Sequence, residues 1–326
     1  MKVATIGTGN ITNWFLDCWT KQGHTIEAVY SRTLEKGHKL ASKYNCQNVI
    51  TDFDQLLKCD VDFIYIASPN SLHHHQAKAC LLANKNVILE KPFASNLKEA
   101  QELVALAKTR NLFLFEAITT CHLPNLETLK EEIKKIEPIH MIVANMSQYS
   151  SKYNSYLAGE HPNVFTTKYS GGSLMDLNIY NIHFITSILG LPNTINYCAT
   201  KKEGIDFGGT ITMSYNDAIA TLVSCKNTYA QSNIQIQGEK GYIMINSPAS
   251  NILNVNVHLA NKEVITLNKQ EADFHVHQYY IEVINEIFTS KNYEKCYNLL
   301  KHSLQVQEIL DTCRKCANII FPSDYA

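Results

Sequence analysis

Three side chains in the second half of the chain could handle protons and hydroxyl groups together. Asp176, Tyr180 and His183 are spaced by four and three positions, which places them on one face of a helix. A carboxylate can bind hydroxyl groups, and a phenol can exchange a proton with a substrate oxygen. Because the unperturbed pKa of a phenol is about 10, a site that uses Tyr180 must tune it. The alternative is that Asp176 pairs locally and Tyr180 belongs to the core.

Lys91 is a second candidate, since it directly follows an apolar run typical of a buried strand. Lysine is seldom placed there without a purpose, because its charge resists burial. Glu90 before it can orient the ammonium group, and Pro92 after it restricts the backbone. An ordinary surface charge is the alternative interpretation. The residues alone leave open whether Lys91 or Tyr180 carries the proton.

The N-terminus carries a glycine turn suited to phosphate groups. Gly7-Thr8-Gly9-Asn10-Ile11 follows the first predicted strand and opens the first predicted helix. The first glycine permits a tight turn, and the second lets the backbone approach a pyrophosphate at the helix start. Thr12 replaces the third glycine of the usual fingerprint, which loosens the helix–strand packing without blocking it. We therefore expect Gly7, Thr8, Gly9, Asn10 and Ile11 to bind a dinucleotide.

The end of the second predicted strand discriminates between dinucleotides. NAD-binding chains usually place Asp or Glu there to accept from the ribose 2′-hydroxyl, whereas this chain has Ser31 and Arg32. A hydroxyl and a guanidinium can bind a 2′-phosphate, which a carboxylate would repel. These two residues predict NADP as the cofactor, with NAD as the second option. The alternative for Arg32 is a solvated cation at a helix start.

Short apolar runs alternate with helical patterns over the first 120 residues. Strands are predicted at 2–6, 25–30, 62–67, 87–89 and 112–115, and helices at 11–21, 34–44, 73–83 and 97–110. This alternation predicts right-handed crossovers and an α/β fold with a doubly wound parallel sheet, the Rossmann arrangement. We assign residues 1–120 to this dinucleotide-binding domain.

The rhythm changes after residue 120. A long strand at 139–147 and a helix at 174–189 precede a series of strands from 194 to 267, with hairpin turns at 216–217 and 238–241. Two helices, at 278–288 and 293–319, close the chain. This pattern predicts an α+β domain over residues 121–326, built on a large, mostly antiparallel open sheet.

Several motifs together resemble the glucose–fructose oxidoreductase, inositol dehydrogenase and MocA family. Ala67-Ser68-Pro69-Asn70-Ser71-Leu72-His73 ends one predicted strand, and Glu90-Lys91-Pro92 ends the next. Gly171-Gly172-Ser173-Leu174-Met175-Asp176-Leu177-Asn178-Ile179-Tyr180 resembles the glycine-rich catalytic helix of that family. The resemblance implies hydride transfer between NADP(H) and a small hydroxylated or carbonyl substrate, such as a sugar, a polyol or a related aldehyde or ketone. It also implies that the second domain binds the substrate.

The resemblance assigns expected roles to single residues. Tyr180 is the expected proton donor, as in the dihydrodiol dehydrogenases. Many other members of the family have His at this position. Lys91 is expected to polarise the substrate oxygen, and Asp176 to anchor the substrate or the lysine. The residues expected beside the cofactor follow the carboxyl ends of two strands: Ser68, Pro69, Asn70, His73, Glu90, Lys91 and Pro92. The resemblance also implies a cis peptide bond before Pro92.

Three positions depart from the family pattern. Asn178 stands where the family usually has Gly, His183 where Asp is common, and Cys121 where many members have Arg. We expect all three on the substrate side, so the sequence does not identify the substrate as inositol or glucose.

Composition excludes several other classes of protein. Hydrophobic residues make up 45% and charged residues 18% of the 326 positions, typical of a globular chain with two domains. A net charge of −1 gives no basis for nucleic-acid or membrane binding. No apolar run approaches the roughly 20 residues that span a bilayer. Because the first strand begins at Lys2, we expect no secretory leader and a cytoplasmic location, with the cysteines as free thiols.

Two clusters that look like metal sites are discounted. Adjacent side chains of His73, His74 and His75 point about 100° apart on a helix and cannot share an ion. Cys313 and Cys316 have C-x-x-C spacing, but no second pair completes a zinc site.

Other clusters are interpreted as follows. His275 and His277 are expected to pack or cap a late helix rather than to bind a metal. A substrate-facing loop and a packed aromatic cluster are equal alternatives for Tyr149, Tyr153 and Tyr156. The same two alternatives hold for His161 and Lys168. We predict no metal.

The leading hypothesis is a cytoplasmic NAD(P)-dependent dehydrogenase or reductase that acts on CH–OH groups. An open sheet needs its face covered, and the family often covers it by forming a homodimer or a larger homo-oligomer. The rival is a catalytically silent, NADP-sensing regulatory protein of the same fold, which the presence of Lys91, Asp176 and Tyr180 disfavours. A structural NADP-binding scaffold predicts cofactor binding that is indifferent to Lys91. The substrate, the direction of reaction and the subunit count stay open.

Overall fold

The computed structural model describes residues 1–325, in which the chain forms two compact units. The first comprises Met1–Ala117 and His275–Leu304, and the second comprises Ile118–Phe274 and the chain from Gln305 onward. The sequence-based division at residue 120 placed all of 121–326 in the second domain. In the structure, the segment His275–Leu304 belongs to the first unit instead. Its apolar face explains the difference, since Tyr280, Ile281, Ile284 and Ile287 are buried in the core of the first unit.

Six parallel strands form the sheet of the first unit. They are β1 (Lys2–Ile6), β2 (Thr25–Tyr30), β3 (Val49–Ile50), β4 (Phe63–Ile66), β5 (Asn86–Glu90) and β6 (Leu114–Ala117). Their order across the sheet is β3-β2-β1-β4-β5-β6. The chain builds the sheet outward in one direction from β1 to β3 and in the other direction from β4 to β6, so the order switches between β1 and β4. Doubly wound sheets bind dinucleotides at this point. The structure confirms the predicted parallel Rossmann sheet.

The described part of the chain, 1–325, contains ten α-helices. They are α1 (Asn10–Lys21), α2 (Leu34–Lys43), α3 (Phe53–Leu56), α4 (His73–Leu82), α5 (Leu97–Thr109), α6 (Pro124–Ile133), α7 (Tyr153–Leu157), α8 (Ile179–Leu189), α9 (Val276–Thr289) and α10 (Tyr293–Cys316). Four of them, α1, α2, α4 and α5, are those of the predicted alternation. Within residues 1–325, no helix combines the length and the apolar character that crossing a membrane requires.

Successive residues of β4 enter two separate cores, which is the period of a strand. Phe63 and Tyr65 pack with apolar residues of α1 and α9. Ile64 and Ile66 pack with apolar residues of α4 and α5. A strand buried on both faces reads as a continuous apolar run, so this run was visible in the sequence.

Eight strands form the sheet of the second unit. They are β7 (Ile139–Ser147), β8 (Thr194–Lys202), β9 (Ile205–Ser214), β10 (Ile219–Cys225), β11 (Asn233–Gly238), β12 (Gly241–Ile245), β13 (Val255–Leu259) and β14 (Val264–Leu267). Their order is β14-β13-β12-β11-β7-β10-β9-β8. Only β7 and β10 run parallel among the neighbouring pairs of this sheet. The predicted antiparallel character and both predicted hairpins are confirmed.

Sequence reasoning missed some short elements and one irregular one. Two short elements, β3 and α3, are too brief to show a period. The helix α6 begins with Pro124 in its first turn and buries Leu126, Leu129 and Ile133, and both the proline and the apolar spacing are typical of a helix. The helix predicted at 174–189 begins with a π-helical turn, Leu174–Asn178, before α8.

Candidate functional site

Gly7 and Gly9 form a cradle at the start of α1. Gly7 has φ +114°, and a Cβ there would lie 2.5 Å from the carbonyl oxygen of Ala67, so only glycine fits. A Cβ at Gly9 would meet no atom within 4 Å. No side chain caps α1 at this end, which leaves the first helical N–H groups to an anion. The turn therefore has room for a pyrophosphate, and the binding of a dinucleotide by Gly7, Thr8, Gly9, Asn10 and Ile11 stays a prediction.

Ser31 and Arg32 follow β2 at the edge of the sheet where β1 also ends, because the two strands are parallel and Ile6 pairs with Tyr30. Ser31 is buried, and its Oγ accepts a long 3.4 Å hydrogen bond from the backbone N–H of Thr33. Arg32 is exposed. The exposed Arg32 therefore follows a strand that ends at the same edge of the sheet as β1.

Glu90 is a buried carboxyl group, with 5% of its surface exposed, at the end of β5. The Tyr65 hydroxyl donates to Glu90 Oε1 at 2.7 Å, and the backbone N–H of Lys91 donates to Oε2 at 3.2 Å. Burial raises the pKa of Glu90 to about 7, although the Tyr65 hydrogen bond and the Lys91 charge act in the opposite direction. Both its protonated and its ionised forms are therefore populated near neutral pH.

His73 joins the two turns that follow β4 and β5. Its Nδ1 lies 2.9 Å from the carbonyl oxygen of Pro92, and its Nε2 lies 3.0 Å from that of Ser68. Burial lowers the pKa of His73, and a neutral imidazole donates to only one of these oxygens. The bond between Lys91 and Pro92 is cis, as the resemblance implied.

The remaining predicted residues lie at the same edge of the sheet. Ser68 Oγ donates to Gln76 Oε1 at 2.7 Å, and Pro69 precedes the short 3-10 turn Asn70–Leu72. Strands β4 and β5 are parallel neighbours, so their carboxyl ends meet at one edge. The structure brings Ser68, Pro69, Asn70, His73, Glu90, Lys91 and Pro92 together there.

In the second unit, a buried carboxylate determines how the predicted catalytic helix begins. Asp206 Oδ2 accepts the backbone N–H of Leu174 at 2.6 Å and the Tyr197 hydroxyl at 2.7 Å. Gly172 has φ +119°, and a Cβ there would clash with Asp206 Oδ1. Burial raises the pKa of Asp206. The glycine-rich start of this helix is thus required by its close approach to a buried side chain.

Asp176 and Tyr180 are the only residues between positions 171 and 186 that are not buried. They lie four positions apart across the π-helical turn and the start of α8. Single π turns of this kind occur frequently at functional sites. A helical segment otherwise packed in the interior thus presents one carboxylate and one phenol.

Two departures from the family pattern are buried rather than accessible. Asn178 is fully buried and accepts a hydrogen bond from Asn181 Nδ2 at 2.9 Å. His183 is also fully buried, and its Nδ1 lies 3.6 Å from Cys121 Sγ. The expectation that these positions line the substrate side is therefore wrong for Asn178 and His183, because the interior packs around them. Cys121 itself is half-buried.

Lys226 is a residue of this site that sequence reasoning missed. It follows β10, and its ammonium group forms an ion pair with Asp176. The Lys226 side chain is 1% exposed and that of Asp176 is 31% exposed. Its Nζ also lies 5.1 Å from the ring centre of Phe165. A lysine directly after a half-buried strand was the signal in the sequence, as it was for Lys91.

The tyrosines before this helix form a packed cluster. Tyr153 and Tyr156 pack with Phe165 and Phe207, and the Tyr149 ring stacks on Tyr229 with 4.7 Å between centres. Of the two alternatives, packing describes Tyr153 and Tyr156. His161 and Lys168 are exposed.

A glycine turn between the first strand and helix of a doubly wound parallel sheet is typical of dinucleotide-binding folds. The comparisons with known proteins agree. Residues 1–117 match the oxidoreductase family with an NAD-binding Rossmann fold, and residues 128–244 match the GFO/IDH/MocA C-terminal domain.

Two curated relatives cover most of the chain. Scyllo-inositol 2-dehydrogenase (NADP(+)) IolU of Bacillus subtilis is 32% identical over 331 residues, covering 100% of both chains. Trans-1,2-dihydrobenzene-1,2-diol dehydrogenase of Sus scrofa is 26% identical over 317 residues, covering 92% of this chain and 91% of the relative.

Solved structures share the fold at lower identity. KijD10, a 3-ketoreductase from Actinomadura kijaniata crystallised with NADP and TDP-benzene, has a TM-score of 0.84 at 19% identity, covering 97% of both chains. An NAD binding oxidoreductase from Klebsiella pneumoniae has a TM-score of 0.83 at 17% identity, covering 97% of this chain and 96% of that one. The chain belongs to the GFO/IDH/MocA family of NAD(P)-dependent oxidoreductases, which confirms the family, the fold and the enzyme class predicted from the sequence.

Replacing Glu90 should change how stability depends on pH. The folded pKa of about 7 lies above the usual value of 4.5, so its stabilising contribution is full below pH 4.5 and is lost as pH rises through 7. Relative to Glu90→Gln, the wild type should lose about 3 kcal/mol of unfolding free energy between pH 4.5 and 8. Urea denaturation of both proteins across this range measures the difference.

The control for this experiment is Glu35→Gln, which changes an exposed carboxyl group on α2 and should follow the wild-type curve. A gap between the wild type and Glu90→Gln that is constant with pH would contradict the proposed environment of Glu90.

Removing the Lys226 cation should destabilise the fold. Lys226→Met removes the buried counter-charge of Asp176, so we expect the free energy of unfolding at pH 7 to fall by about 3 kcal/mol. This value is at the lower end for buried ion pairs because Asp176 is partly exposed. Chemical denaturation measures it. Lys202→Met is the control, since Lys202 lies 5.2 Å over Tyr156 in the same aromatic cluster but is exposed, and its loss should stay within about 0.5 kcal/mol. Equal losses for the two variants would show that the ion pair is unimportant.

Proposed function

We propose that this chain transfers hydride between NADP(H) and a small hydroxylated or carbonyl compound, such as a sugar, a polyol or a related aldehyde or ketone. The observation that carries the proposal is the accessibility of Asp176 and Tyr180 within positions 171–186, where every other residue is buried. Packing alone gives no reason to leave one carboxylate and one phenol accessible, whereas a hydroxylated substrate does.

The residues of the first unit support the cofactor part of the proposal. Gly7, Thr8, Gly9, Asn10 and Ile11 would hold the pyrophosphate at the start of α1. Ser31 and Arg32 would bind the 2′-phosphate of NADP, as a hydroxyl and a guanidinium suit a doubly charged anion. The turns that follow β4 and β5 would receive the nicotinamide half. The relative IolU is named as NADP-dependent, which favours NADP over NAD.

The chemistry divides among three side chains. The nicotinamide, when bound, supplies or takes up the hydride. Tyr180 donates a proton to the carbonyl oxygen of the substrate in reduction and takes it back in oxidation. Lys91 would donate a hydrogen bond to a substrate oxygen and stabilise the charge that develops on it. Asp176 accepts hydrogen bonds from neighbouring substrate hydroxyls.

Lys226 acts through Asp176 as a positioning residue. Its buried ammonium group fixes the carboxylate and neutralises its charge where the site is partly removed from water. An anchored carboxylate suits a substrate with a second hydroxyl next to the reacting carbon. The names of two relatives, an inositol dehydrogenase and a dihydrodiol dehydrogenase, both describe such substrates.

We also propose that the chain forms a homodimer or a larger homo-oligomer through the open face of its eight-stranded sheet. The register places one continuous row of side chains across five pairs of strands, Ile219, Met141, Gln237, Tyr242, His258 and Val264. Four of the six are exposed apolar or aromatic residues. A contiguous row of exposed apolar side chains is typical of a surface that binds another protein chain.

Turnover tests the proposed reaction. We expect purified protein to bind NADPH and to reduce or oxidise at least one member of a panel of sugars, cyclic polyols, trans-diols and aldehydes, followed by reduced-nicotinamide absorbance. Tyr180→Phe should lower kcat about 100-fold or more, because it removes the proton donor. Lys91→Ala should lower it by a similar factor, because it removes charge stabilisation.

Tyr149→Phe is the matched control, since this tyrosine stacks on Tyr229 in the same unit and should keep wild-type turnover. Tight NADPH binding with no turnover on the whole panel would favour the regulatory protein instead. Binding of neither nucleotide would contradict the dinucleotide site.

The choice between cofactors depends on Arg32. Arg32→Ala should weaken NADPH binding about 10- to 100-fold, the value of a charge-assisted hydrogen bond, and leave NADH binding unchanged because NADH lacks the 2′-phosphate. Fluorescence titration with both nucleotides measures the ratio. Lys36→Ala removes an exposed cation from the same helix start and should change neither affinity. An equal loss for NADPH and NADH would show that Arg32 does not recognise the phosphate.

A further inference from the structure

Three potential metal ligands lie close together in the first unit, where α1 approaches the start of α9. Ligand atoms of Cys18, His275 and His277 all lie within 4.8 Å of one another. Cys18 is 3% exposed and His277 is 6% exposed, whereas His275 is exposed. The cluster therefore has a buried side and a side open to solvent.

His277 is the unexplained member of this cluster. Its Nδ1 is buried and has no hydrogen-bond partner among residues 1–325. A buried polar atom in that state is costly and calls for a partner that protein atoms do not provide. Burial lowers the pKa of His277 to about 3, so the imidazole is neutral and can coordinate a cation at physiological pH.

His275 adds a second neutral imidazole. As the N-cap residue of α9, its Nδ1 accepts the backbone N–H of His277 over 3.4 Å. This hydrogen bond is long and therefore weak, so it leaves the imidazole of His275 available to coordinate a cation. Although the residue is exposed, partial burial of its ring and the charge of Lys21 lower the pKa of His275.

Cys18 supplies the sulfur of the cluster. Burial raises the pKa of this thiol to about 11, with opposing effects from the charges of Lys21 and Asp17. The thiol is therefore protonated in the absence of a metal. A cation that binds its sulfur displaces the proton, since the thiolate is the ligand form.

We propose that Cys18, His275 and His277 form a binding site for a borderline-soft divalent cation of the zinc class. One thiolate and two imidazoles are a ligand set that such cations prefer. Tetrahedral coordination at the usual bond lengths places ligand atoms about 3.5 Å apart, so the three side chains need to close by about 1 Å. The exposed side leaves the fourth position to water. The bound cation joins the first helix of the chain to the helix that returns near its end, and it stabilises the first unit.

Cobalt is the probe for this site, because a thiolate bound to Co²⁺ gives a charge-transfer band in the near ultraviolet. Titration of chelator-treated full-length protein with Co²⁺ should produce that band with saturation at one equivalent per chain. Cys18→Ser should abolish the band. Cys59→Ser, which removes a half-buried thiol elsewhere in the same unit, should keep it. A wild type with no band, or a Cys18→Ser variant with the wild-type band, overturns the proposal.

A second variant decides the matter if Cys18→Ser does not fold. His275→Asn keeps a preferred N-cap residue on the surface of α9 and removes only the imidazole. We expect it to weaken Co²⁺ and Zn²⁺ binding at least 10-fold and to abolish the rise in Tm that Zn²⁺ causes in the wild type. His75→Asn, at an exposed position of α4, should behave as the wild type. Unchanged metal affinity in His275→Asn rules out the three-ligand site.

Discussion

Charged groups removed from water must find partners inside the protein, and that requirement shapes both candidate sites of this chain. Glu90 is satisfied by the Tyr65 hydroxyl and by the backbone N–H of Lys91. The hydrogen bond to that N–H orients the very residue proposed to polarise the substrate oxygen. A carboxylate at the end of a buried strand thus determines how the chain leaves the sheet.

The same constraint acts twice in the second unit. Asp206 takes the N–H of Leu174 and the hydroxyl of Tyr197, and so fixes where the helix that carries Asp176 begins. Asp176 in turn is held by the buried ammonium group of Lys226. Changes at Asp206 or Lys226 would therefore alter the proposed substrate anchor without touching the substrate. The functional side chains depend on buried partners that face away from solvent.

Much of this organisation could be predicted because it leaves local signals. The glycine turn at Gly7 and Gly9 and the basic residue Arg32 follow predictable strands. Ligands bind at the carboxyl ends of the strands of a parallel sheet, so the position of Lys91 directly after a predicted strand marked it as a candidate. Helical spacing pointed to Asp176 and Tyr180, and within positions 171–186 these are the two residues that are not buried.

What escaped prediction depends on contacts between distant parts of the chain. Tyr65 reads as one more apolar strand residue, yet its hydroxyl meets Glu90 across the sheet. Lys226 is 50 positions from Asp176, and no spacing rule joins them. His183 shares the helical face of Asp176 but is buried against Cys121, because burial depends on what packs over a residue and not on its helix position.

The sequence by itself therefore determined the two types of sheet, the dinucleotide turn and the polar residues of the helix that follows Gly172. These follow from backbone periodicity and from the special freedom of glycine, which act over a few residues. Only the tertiary structure decided which of those polar residues stay accessible, which buried groups hold them, and that the segment His275–Leu304 returns to the first unit. Those outcomes depend on packing and charge pairing between residues far apart in the chain, which local patterns do not encode.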